Sequence, residues 1–166
     1  MVQFMQRLLW FVGLVLLQVL VLNHIHIYEY ATPLFYIYFI FSLDVNVSRN
    51  ALLCWAFFLG LTIDLFCNTP GMNAAAATFL AFVRHPLLRI QTVRDIPEEA
   101  APDMRQIGFL PYFRYVLTCT FLYVFILHLL DTFSLFSWKL FMLKVVSDVA
   151  MTVLFILCVN YISGKK

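Results

Sequence analysis

The chain has 166 residues, 63% of them hydrophobic and only 12% charged, with a formal net charge of +2. Several apolar runs approach the ~20 residues that cross a bilayer, so the expected fold is all-α: a polytopic membrane protein forming one integral membrane domain over residues 1–166. A soluble nucleic-acid module has no support, because the basic residues do not interleave with exposed aromatics, and five glycines leave little material for a nucleotide cradle.

In chain order, Arg7 precedes an apolar run over residues 8–22 that is not followed by a small-residue cleavage site, which predicts an uncleaved first span over 4–22. His24 and His26 have the spacing of a ligand pair but no third ligand nearby, so no metal is expected there. The second apolar run, 33–43, is short: at ~1.5 Å per residue it covers about half of a ~30 Å hydrocarbon core. Length alone suggests a re-entrant segment, whereas charge argues for a crossing. If it crosses, there are six spans with both termini inside. The inner side then holds Arg7, Arg49, Arg84, Arg89, Arg94, Arg105, Arg114, Lys165 and Lys166, with only Lys139 and Lys144 outside. If it does not, the arginine-rich stretch 84–114 falls outside, against the positive-inside bias. Six transmembrane helices with cytoplasmic termini are therefore expected.

Residues 51–89 read as a central helical hairpin. Gly60 and Asp64 lie one turn apart on the third span, and Asn68-Thr69-Pro70-Gly71 form the turn. Thr69 is a candidate cap for a helix starting at Pro70, or Asn73 for one starting at Ala74. In lipid, helices associate through close packing, so Gly60 is expected against the alanine row 74–77. Asp64 meets the negative end of its own helix dipole and needs compensation. The unpaired N–H groups of the next helix and the ammonium of Lys144 are the two expected sources.

The connection 89–108 is polar, with Glu98, Glu99 and Asp103 among Arg89, Arg94 and Arg105. Two readings stand: a loop held at the lipid headgroups, or a docking site for a cytoplasmic partner. Spans five and six are expected over 111–130 and 140–162. Cys54, Cys67, Cys119 and Cys158 are scattered singly and read as free thiols serving as small core residues. Asp64, His128, Asp131, Lys144 and Asp148 gather towards the outer ends of their spans. They form either a structural set of ion pairs and anchors or a polar pocket opening outwards, for a ligand or another protein's helix. There is no G-x-S-x-G, P-loop or H-E-x-x-H, so neither an enzyme nor a cofactor is expected.

The run F-L-G-L-T-I-D-L-F over 58–66, followed by Pro70, Gly71, Asn73 and small residues that include Ala75, resembles the rod shape-determining MreD family. That resemblance implies a multi-pass scaffold of the bacterial inner membrane with no reaction of its own. It implies as partners the single-span MreC, the actin-like MreB, and the RodA polymerase with its transpeptidase, in peptidoglycan synthesis during elongation. The family's arrangement is also similar to the substrate-binding membrane subunits of vitamin transporters, which makes small-molecule uptake the alternative.

Overall fold

Long apolar runs leave the backbone nothing to bond with in lipid but itself, which is why such runs become helices. The computed structural model describes residues 2–21, 33–91, 101–131 and 138–163, and among them there is no strand. The elements are α1 (Val2–Leu20), a 3₁₀ turn (Phe35–Ile37) continuing into α2 (Tyr38–Ser42), α3 (Arg49–Cys67), α4 (Met72–Gln91), α5 (Met104–Ile107), α6 (Phe109–Asp131) and α7 (Trp138–Ser163). Three stretches, Arg49–Cys67, Phe109–Asp131 and Phe141–Ile162, are long and apolar enough to cross a membrane, and Met5–Leu20 is a shorter apolar helix. The protein is thus all-α with the make-up of a membrane protein.

Helix α4 is the hub. It packs most extensively on α3 and next on α6, and α7 packs chiefly on α6. Its buried residues, Asn73, Ala74, Ala76, Ala77, Leu80, Ala81, Arg84 and Leu88, recur every three or four positions, so two neighbours share one broad apolar stripe. It also runs further than the sequence suggests: Pro86 lies inside it, and Gln91 at its end donates from Nε2 to Thr118 Oγ1 of α6 at 3.1 Å. The connection expected over 89–108 is therefore helical at both ends, at Gln91 and again from Met104.

The short second segment is surrounded by protein. Every residue from Phe35 to Phe41 is buried, with Tyr36, Ile37 and Ile40 at 0% exposure. Irregular backbone at membrane depth is tolerated when protein satisfies it, and Gln18 of α1 does so here. Its Nε2 donates to Pro33 O and its Oε1 accepts from Phe35 N, both at 3.0 Å. Leu34 N donates to Thr152 Oγ1 of α7 at 3.1 Å. At the far end Arg7 pairs with Asp44, and Arg84 Nη2 donates to Leu43 O. Because Gln18 holds the start of the segment and Arg7 its end, residues 33–44 run antiparallel to α1.

These contacts also sort the charges. Arg7, Asp44, Arg49, Arg84, His85 and Arg89 share one end of the bundle. Met104, next to Arg105, reaches Asn160 near the end of α7. Asp64, Thr69, Asn73, His128 and Asp131 share the opposite end. The cysteines depart from expectation: only Cys119 is buried, Cys67 is half-buried, and Cys54 and Cys158 are exposed. None of the four forms a disulfide.

Candidate functional site at the Asp64 hairpin

Helix α3 ends where Asn68 takes the left-handed conformation (φ 56°) and the Asp64 carbonyl accepts from the N–H groups of Asn68 and Thr69. Gly71 (φ 77°) then turns the chain into α4, whose first residue is Met72 rather than Pro70 or Ala74. The side chain that caps α4 comes from the helix before it. Asp64 Oδ1 accepts from Thr69 Oγ1 (2.8 Å), Asn73 N (3.0 Å) and Asn73 Nδ2 (2.9 Å), and Oδ2 accepts from Ala74 N (2.9 Å). A negative charge there sits at the positive end of the α4 dipole and occupies two otherwise orphaned N–H groups. With only 5% exposure, the carboxylate is held by four donors in place of water.

The second expected source, Lys144, is not used. Lys144 is exposed, and among the described residues Arg7 pairs with Asp44 and His128 with Asp148. Similar depth along two helices does not make them neighbours, and α7 lies against α6. Asp64 instead reaches the rest of the core through Asn73. With Nδ2 of Asn73 fixed on Asp64, and also donating to Thr69 Oγ1 at 3.0 Å, Oδ1 is left to accept from Tyr36 (2.6 Å) and Tyr123 (3.2 Å). The two tyrosine hydroxyls also contact each other. A carboxylate only accepts, so this orientation of the amide is the one the network requires. The chain of bonds joins the 3₁₀ turn, α3, α4 and α6.

Gly60 explains how α3 and α4 come so close. A Cβ at that position would stand less than 3.0 Å from Ala74 Cα, Asn73 O and Ala74 N, all backbone atoms. The contact falls at the start of the expected alanine row, and the row is not one ridge: Ala74, Ala76 and Ala77 are buried but Ala75 is exposed, so Ala75 is not part of the packing. Gly71 has open space where a Cβ would be, and it is needed for its backbone angle.

Of the outer polar residues, His128, Asp131 and Asp148 gather beside the Asp64 network, while Lys144 is exposed and takes no part in it. A cavity of about 360 Å³ is lined by Tyr36, Thr69 and Asn73 together with His128 and Asp131. His128 Nε2 lies 2.7 Å from Asp148 Oδ2, and Asp148 is 2% exposed. Of the residues expected to dock a cytoplasmic partner, Arg89 and Arg105 are exposed and Arg94 lies outside the described residues, as do His24 and His26. No group of three or more His, Cys, Asp or Glu among the described residues could hold a metal ion.

Sequence reasoning missed Tyr36, Tyr123, Gln18 and Thr152. Each is a polar group inside an apolar run, the same signal that marked Asp64, but uncharged and so easily passed over. No family model matches the chain, no curated protein matches it, and no solved structure matches it.

Proposed function

We propose that this protein is a scaffold of the cell-elongation machinery, of the MreD type, crossing the bacterial inner membrane six times with both termini in the cytoplasm. On this reading it organises peptidoglycan synthesis with a single-span MreC-like protein, the actin-like MreB, and a RodA-type polymerase with its transpeptidase. The observation that carries it is the occupation of the hairpin motif: Gly60 and Asp64 act on the backbone of Asn73 and Ala74, which favours a shape-holding role over a reactive one. The topology is supported by the antiparallel course of 33–44 along α1 and by the gathering of arginines at one end of the bundle.

Two measurements test the proposal together. The tagged protein is expected to co-purify with a single-span MreC-like protein, and its depletion from a rod-shaped host is expected to round the cells. The cavity of about 360 Å³ beside His128 and Asp131 is the feature that favours the uptake reading. Capture of a radiolabelled vitamin, with cell shape unchanged on depletion, would replace the scaffold by a transporter subunit.

A further inference from the structure

A second recess, about 610 Å³, opens at the arginine end between the start of α3 and the end of α4. Its lining includes Arg49, Phe82, His85, Pro86 and Arg89, and none of the described lining residues is Asp or Glu. Asp44, adjacent in sequence to the lining residue Val45, is already paired with Arg7. Arg49 is held in place: its guanidinium carbon sits 4.4 Å from the centroid of the Phe82 ring, across from one helix to the other. Arg49, His85 and Arg89 line the recess together and Arg84 precedes His85 in sequence, so positive charge is concentrated at one point without a described counter-charge in the recess. A mouth of this kind suits an anion.

The surface beside it identifies which anion. Phe79, Phe82, Pro86 and Ile90 recur along one exposed face of α4, with Phe82 51% and Ile90 78% exposed. In a membrane protein such a face meets acyl chains, and here it leads directly to the cationic mouth. A soluble acidic protein would gain nothing from Phe79, which lies a further turn into the bundle. We propose that the recess binds the phosphate of an anionic phospholipid. Arg49 and Arg89 grip its oxygens from two helices, and its acyl chains lie along Phe79 and Phe82. The site is independent of the scaffold reading, since a transporter subunit would present it equally well.

The test is native mass spectrometry of the full-length protein in detergent with phosphatidylglycerol, phosphatidylcholine or inorganic phosphate. The parent protein is expected to retain phosphatidylglycerol in preference to phosphatidylcholine. Arg49→Gln combined with Arg89→Gln should weaken retention about ten- to thirtyfold, while Lys139→Gln, exposed near the start of α7, leaves it unchanged. Should the double glutamine variant aggregate, Arg49→Lys with Arg89→Lys carries the test. It keeps both charges but loses the planar fork, and several-fold weaker retention is expected. Equal retention of both lipids, or unchanged retention in the variants, overturns the proposal. Displacement of the lipid by millimolar inorganic phosphate would make this a site for free phosphate. Unchanged lipid retention with loss of the MreC-like partner would make it a protein-docking surface.

Discussion

Asp64 shows how a charge in an apolar helix can be structural when donors surround it. Asp64→Asn can keep its oxygen at the Oδ1 position, where three donors converge, but turns an amide N–H₂ towards Ala74 N–H. We expect a loss of about 1–3 kcal/mol, the usual cost of leaving a buried polar group unmatched. Asp64→Leu removes all four bonds and should cost more, and both are read from thermal unfolding in detergent. Since Lys144 is exposed and outside this network, Lys144→Asp should not rescue Asp64→Lys, and a double-mutant cycle between them should show coupling near zero. The need for donors from the next helix was legible in the sequence, because a carboxylate near a helix end followed by a tight turn leaves few alternatives. The identity of Asn73 as relay to Tyr36 and Tyr123 was not, since it depends on which helices stand side by side.

The element scale is set by two joints of different kinds. In the α3–α4 hairpin, contact with backbone at Gly60 leaves little room to yield, so Gly60→Ala should destabilise by about 1–3 kcal/mol or more. Gly13 in α1 is the control: a Cβ there meets nothing within 4 Å, and Gly13→Ala should be neutral or stabilising by up to about 1 kcal/mol. Opposite shifts in the melting temperature of the two variants would bear out the contrast; parallel shifts would refute it. The second joint is Gln18, whose amide serves the backbone of Pro33 and Phe35. Gln18→Leu orphans one donor and one acceptor, each worth about 1–3 kcal/mol in the same assay. The hairpin was readable because glycine and aspartate one turn apart are conspicuous. The broken segment was readable only as a length problem, since what resolves it is a neutral side chain on another helix.

For the whole molecule, the question is which way the arginine end points. With all four native cysteines replaced, a single cysteine at Gln91 is expected to resist an impermeant thiol reagent in intact cells and to react once the membrane is opened. Ready labelling in intact cells would reverse the orientation and remove the topological support for the scaffold. The charge segregation could be counted from the sequence alone, while the course of 33–44, on which the count depends, required Gln18, Arg7 and Arg84 to be seen holding it.

Arg84, in turn, bears on how the protein is made. Its guanidinium is 1% exposed and donates to the carbonyl of Leu43, 41 residues earlier in the chain. A buried arginine is costly unless acceptors replace the water it has lost. Synthesis runs from the N-terminus, so the acceptor leaves the ribosome before its donor. Once released with the broken segment already folded beside α1, α4 finds an acceptor waiting for its arginine; released ahead of it, α4 would have to bury that arginine without it. The order of the helices along the chain is thus also an order for their assembly.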